Sequence, residues 1–170
     1  AGSGMLSSGM QQVIDRPFML SEWIHVFPNE WGVEGPAILG AYGMGLQGWD
    51  VSFIFQNTDQ GTFSGRLGRQ QWDATAPQIL GVFPAVARSV HRGDVRTSEA
   101  VAVRSVHVPS LWEGKLGFED QVVQGYDAKE IDSSQVPARS LAVVRSVVAF
   151  TENWTETPAL DMARYRQDDQ

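Results

Sequence analysis

The chain has 170 residues, 42% of them hydrophobic and 10% aromatic, which suits an ordinary packed domain rather than a disordered segment. Its formal net charge is −7 and its Lys and Arg residues are scattered singly, so no basic stripe is available to track a phosphate backbone, which argues against nucleic acid. No apolar run approaches the roughly 20 residues that cross a bilayer, which argues against a membrane span, and the absence of cysteine removes disulfide frameworks and thiolate metal sites.

In chain order, residues 1–10 (AGSGMLSSGM) have neither the basic flank nor the long apolar centre of a signal peptide and read as a loop. Residues 11–14 suit the end of a helix. Residues 16–21 (RPFMLS) are short, apolar and opened by Pro17, the pattern of a buried strand, and they stop abruptly at Ser21-Glu22-Trp23. Residues 24–33 mix Pro28, Asn29 and Gly32 with Trp31 and read as an aromatic-rich loop. Glu34-Gly35-Pro36 has the acid and the early proline of a helix start, and Ala37, Ile38, Ala41, Tyr42 and Leu46 then mark a helical face running to about Gln47. Gly48 ends that helix, and residues 49–55 (WDVSFIF) are aromatic and β-branched as strands prefer. The order strand, loop, helix, strand predicts a parallel βαβ unit with a right-handed crossover.

Residues 56–75 form a long polar stretch with Gly61, Gly65 and Gly68, a length that in a compact domain usually signals function or disorder. Residues 75–90 are helical in pattern through Ile79, Leu80, Phe83, Val86, Ala87 and Val90, with Pro84 as a restart or kink and Gly93 as a stop. The texture then changes: residues 98–108 are rich in β-branched residues and predict a strand, residues 140–150 suit a strand or a buried helix with β-branched enrichment favouring the strand, residues 110–126 are irregular, and the polar tail MARYRQDDQ is expected to fray. The division falls near residue 95, between an α/β part (1–95) and a mostly β part (96–170).

For chemistry, the position that stands out is Glu22. In parallel α/β architectures the working side chains stand at the carboxyl ends of strands, and Glu22 occupies such an end. The competing reading is a strand end with charged punctuation. His25, His91 and His107 lie far apart and lack HxH or HExxH spacing, so neither a zinc site nor a cofactor is expected. Arg92-Gly93-Asp94 invites an adhesion-motif reading but is better explained as a helix stop and turn. Glu34 is accounted for by the helix dipole alone.

Taken together, "RPFMLSEW", "PNEWGVEGPAILGAYGMGLQGWDVSFIFQ" and "PAVARSVHRGDV" resemble, over residues 11–95, the last quarter of the (β/α)8 catalytic barrel of retaining clan-A glycoside hydrolases of the β-galactosidase and agarase-like type. The resemblance implies that "MLSE" ends the seventh strand and that "GWDVSFIF" is the eighth. It further implies that Glu22 is the nucleophile, attacking the anomeric carbon to form a covalent glycosyl-enzyme. Next to it Trp23 either offers a flat face to the sugar or packs into the core, His25 either hydrogen-bonds a sugar hydroxyl or is a solvated loop histidine, Asn29 and Glu30 order the rim or touch substrate, and by the same likeness Phe55 stands where the family carries an aromatic platform, usually Trp. Residues 96–170 resemble the region joining such barrels to later β-rich modules, and export is implied only by the polysaccharide-degrading habit of the family.

A retaining enzyme needs a second carboxyl group about 5–5.5 Å from the nucleophile, which the family takes from the fourth strand, upstream of this sequence. Two strands of eight close no barrel, so the expectation is a fragment completed by a complementary chain or by self-association, acting on galactose-containing poly- or oligosaccharides. The alternative is a non-catalytic carbohydrate-binding or assembly module that self-associates. A third reading, Glu22 and Glu30 as a self-contained pair, is disfavoured because both would hang from one loop.

Overall fold

A computed structural model describes residues 4–23, 34–55, 74, 77–123 and 128–165. The chain forms two compact units, Phe18–Thr97, and Ala1–Pro17 together with Ser98–Gln170. The chain passes between them at Pro17–Phe18 and at Thr97–Ser98, where a single division near residue 95 was expected. Unlike the expected 1–95 part, residues 4–17 pack with the C-terminal half of the chain.

The first unit contains β1 (Met19–Trp23), α1 (Glu34–Ile38) continuing as a π-helix over Leu39–Leu46, β2 (Val51–Ile54), α2 (Pro77–Leu80) and α3 (Phe83–Arg92). β1 and β2 run parallel, and among the described residues they make a two-stranded sheet that closes no barrel. Their amino ends are pinned by Asp50, whose carboxylate accepts the Phe18 N–H at 2.8 Å while the Asp50 N–H donates to the Phe18 carbonyl at 3.1 Å. Beside this clamp Trp49 is buried, 5.1 Å from the Phe18 ring and edge-on to Tyr42 at 5.8 Å. Its indole closes the amino end of the sheet by apolar contact.

The helix between the strands corrects the expected face. Ala37, Ile38 and Ala41 are exposed, and the positions that pack are Leu39, Gly40, Tyr42, Gly43 and Gly45. Two causes combine. The wider π turn moves the buried stripe off the 3.6-residue period, and the stripe is made of glycines whose missing Cβ admits neighbours. A Cβ on Gly40 would run into Val86, one on Gly43 into the Trp49 ring, and one on Gly45 into Val95. Gly48, at φ +66°, then turns the chain into β2.

The helical stretch expected over residues 75–90 is two helices with a restart at Pro84: α2 ends before Gly81, and α3 starts with Pro84 in its first turn, where a missing N–H costs nothing. Ile79 is fully buried against Ile54 and Phe83, tying the helices to β2, whereas Ala87 and Val90 remain exposed. Gly93 ends α3 in the left-handed conformation, at φ 64°. Arg92 and Asp94 form an exposed ion pair across that turn at 3.2 Å.

The second unit is built on β3 (Val101–His107) and β6 (Arg145–Thr151), parallel and in unbroken register from Val101↔Arg145 to His107↔Thr151. Val13 bridges the other side of β6 at Val148, flanked by Val148 N–H to the Gln12 carbonyl at 2.7 Å. The expected helix end at residues 11–14 is instead the exit of a 3₁₀ helix, Gly4–Gln11, into this bridge. Between β3 and β6 come α4 (Val108–Trp112), an antiparallel pair β4 (Gln121–Val123) and β5 (Ala128–Glu130), and a 3₁₀ turn, Ala138–Ala142. The core joins Met10, Ala102, Val106, Val136, Leu141, Val144 and Val148.

One buried position of β3 is a cation. Arg104, between Ala102 and Val106, is 1% exposed. It pairs with the Asp120 carboxylate, donates to the Asp132 carbonyl at 2.9 Å, and lies over the Phe118 ring at 4.2 Å. Asp120 in turn accepts the Asp132 N–H, and the Asp132 carboxylate accepts the N–H groups of Glu119 at 3.0 Å and Ser134 at 2.8 Å. The guanidinium thus ties β3 to the segments on either side of the β4–β5 pair.

Candidate functional site

The carboxyl ends of β1 and β2 hold the candidate site. The register runs Met19↔Val51, Leu20↔Ser52, then Trp23↔Ile54, so three steps along β1 match two along β2. One extra residue is accommodated at Ser21-Glu22, a bulge in a parallel pair, where bulges are rare. Its effect follows from the two-residue period of a strand. From exposed Met19 and half-buried Leu20, strict alternation would turn Glu22 inward and Trp23 outward. The extra residue reverses the sense, and Ser21 and Glu22 both face solvent while Trp23 is buried at 8% exposure. The bulge thus frees one carboxylate at the strand end and sinks the adjacent indole.

Trp23 is 8% exposed, which leaves little of its ring to face solvent and accords with the core-packing reading of this residue. Its Nε1–H finds no acceptor among the described residues, a buried donor of the kind that costs about 1–3 kcal/mol when left unpaired. Phe55 sits at the neighbouring end, half-buried, and its N–H donates to the Trp23 carbonyl at 2.7 Å, so the main chains of the two strand ends stay joined beyond the bulge. Glu22 and Phe55 are therefore brought to the same end of the same sheet. His25, Asn29 and Glu30, and the long stretch 56–73, lie outside the described residues.

The sheet is covered unequally. Leu20, Ser52 and Ile54 are half-buried, with Ile54 against Ile79. On the other side Met19 is 55% exposed, Val51 39% and Phe53 54%, an apolar row leading toward the bulge. Such a row on a parallel sheet is unusual, since parallel strands are normally buried on both faces.

Residue reading alone could not find the bulge, because its cause is the register with β2. It gave His107 no role in a site. In the second unit His107 is a fixed group: Nε2–H donates to the Glu152 carbonyl at 3.2 Å, which leaves Nδ1 to accept from the Ser110 hydroxyl at 2.8 Å in the neutral ring. The His107-Val108-Pro109-Ser110 run at a strand-to-helix junction was the available signal. Among the described residues no group of three or more His, Asp or Glu is placed to hold a metal ion, and no helix is long and apolar enough to cross a membrane. Comparison with protein-family models, curated proteins and solved structures finds no match for this chain.

Proposed function

We propose that the chain is part of a retaining β-glycoside hydrolase acting on galactose-containing poly- or oligosaccharides, with Glu22 as its nucleophile. The observation that carries the reading is the bulge at Ser21-Glu22, which turns the Glu22 carboxylate into solvent at the carboxyl end of a parallel strand. In (β/α)8 barrels that end is where catalytic groups stand. Two further features support it: the βαβ order of the first unit, and the uncovered row Met19, Val51, Phe53, which a closed barrel would bury at about 1.5–3 kcal/mol per large apolar side chain.

In this reading a Glu22 oxygen bonds to the anomeric carbon as the glycosidic oxygen departs with a proton from a general acid. Water, deprotonated by that same acid residue in its basic form, then cleaves the glycosyl ester and returns Glu22 as a carboxylate. The general acid comes from a complementary chain that completes the barrel. His25, Asn29, Glu30 and Phe55 are proposed as the residues that hold the sugar, on the strength of the family likeness alone, with Trp23 beside the nucleophile in sequence. The family habit implies export.

The test is Glu22→Gln, assayed on agaro- and galacto-oligosaccharides with the complete enzyme. The expected outcome is a loss of kcat of at least about a thousandfold with KM little changed, since an amide neither attacks nor stabilises oxocarbenium charge. A 2-fluoro-galactoside should add one glycosyl mass to the Glu22 peptide. Full activity in the variant, or labelling elsewhere, removes Glu22 from the mechanism.

A second reading, a self-associating carbohydrate-binding module, draws on the same sheet: strand edges without a partner strand among the described residues, and the apolar row, are features that a second copy would cover as well as a barrel would.

A further inference from the structure

Two adjoining clefts lie in the second unit, well separated in sequence from Glu22. One is open, about 580 Å³, and is lined by Leu111, Leu116, Phe118 and the carboxylates Glu119 and Asp120. The other is a tight hollow of about 50 Å³ that shares Leu116 and Phe118 and adds His107, Gln135, Trp154 and Glu156. The larger volume falls within the ~300–1,000 Å³ of small-molecule sites. Trp154 is 68% exposed, and Trp112, next to Leu111, is 85% exposed.

Trp154 is held rather than loose. Its ring meets His107 edge-on, with centroids 5.8 Å apart and planes at 71°. The imidazole is itself locked between Ser110 and the Glu152 carbonyl. A rigid exposed indole contributes contact area at little entropic cost, which is what an aromatic anchor in a binding site requires. Phe118, on the wall common to both clefts, is likewise braced from behind by the Arg104 guanidinium.

The remaining lining decides the class of ligand. Neither cleft is lined by Lys or Arg among the described residues, while Glu119 and Glu156 line them and the Asp120 charge is met by Arg104 behind the wall. Phosphate, sulfate and carboxylate ligands are therefore repelled. Hydroxyl, amide and carboxylate groups beside flat aromatic rings match a ligand with one C–H-rich face and a rim of hydroxyls. We infer that this groove binds a neutral oligosaccharide, one pyranose stacking on Trp154 and its neighbour lying over Leu116 and Phe118. The inference stands apart from the Glu22 reading, since it places a sugar on residues 105–157.

The experiment is a calorimetric titration of the full chain with neutral hexasaccharides of galactose, glucose, mannose and xylose, and with a sulfated galactan oligosaccharide as the charged control. Saturable binding of at least one neutral chain is expected, with weaker or no binding of the sulfated one. Trp154→Ala should weaken it about tenfold or more, and Trp154→Phe should hold it within about threefold. With 68% of the residue exposed, both variants keep the fold, checked by an unchanged unfolding midpoint. The inference is overturned if no neutral chain binds, or if Trp154→Ala binds as the parent does. It is also overturned if Phe55→Ala alone abolishes binding, which moves the sugar to the strand ends, or if Trp154→Ala abolishes self-association with no sugar bound, which makes the indole a protein contact.

Discussion

The side chains that organise this protein are polar groups in unexpected places. Glu22 is outside because of the bulge, Trp23 inside for the same reason, and Arg104 is buried in the middle of β3. Removing one partner of a buried ion pair leaves an uncompensated charge, so the Arg104, Asp120 and Asp132 cluster is a point on which the second unit depends. Among the described carboxyl groups, Asp132 is held clearly below the usual range. Hydrogen bonds from Ser134 and Glu119, with the Arg104 charge adding to them, hold its carboxyl down to about 2. An unperturbed Asp titrates near 3.9, so the folded group is the stronger acid. Its contribution is then fully present above about pH 4 and is lost as the pH falls toward 2. Urea midpoints measured between pH 6 and 2 should drop across that window in the parent and drop less in Asp132→Asn. Equal slopes would mean that Asp132 is not the group titrating.

At the scale of elements, the first unit is assembled through absences. The stripe Gly40, Gly43, Gly45 lets the π-helix approach α3, Trp49 and Val95 more closely than any side chain would permit. Gly43→Ala drives a methyl into the Trp49 ring, and the expected destabilisation is about 1–3 kcal/mol, the usual range for overpacking. Chemical denaturation with Trp fluorescence reads both the midpoint and the displaced indole. An unchanged midpoint would show that the helix shifts freely and that the close approach is not required. Since Trp49 also abuts Phe18 at the amino end of β1, the same substitution is expected to loosen the sheet that carries Glu22.

For the whole molecule, the two units each have their own strands and their own buried residues, and the candidate chemistry falls in one while the sugar groove falls in the other. The hydrolase proposal requires that another chain supply the rest of the barrel. Native mass spectrometry of the purified material should therefore show the chain bound to a larger, different chain; a homo-oligomer would favour the self-associating module instead. Local composition was enough to mark the strands near residues 16–21, 49–55, 98–108 and 140–150, the stops at Gly48 and Gly93, the change of texture near residue 95 and the standing of Glu22 at a strand end. Those features depend on β-branched runs and on glycine's access to positive φ, which act over a few residues and are written in order along the chain. Tertiary structure decided the rest: that a register shift against β2 exposes Glu22 and buries Trp23, that glycines rather than Ile38 and Ala41 make the packing face, that residues 4–17 join β6, and that Arg104 can be buried because Asp120 and Asp132 come to meet it. Each is settled by partners 28 or more residues away in at least one contact, and a residue's own neighbours carry no information about where such a partner will lie.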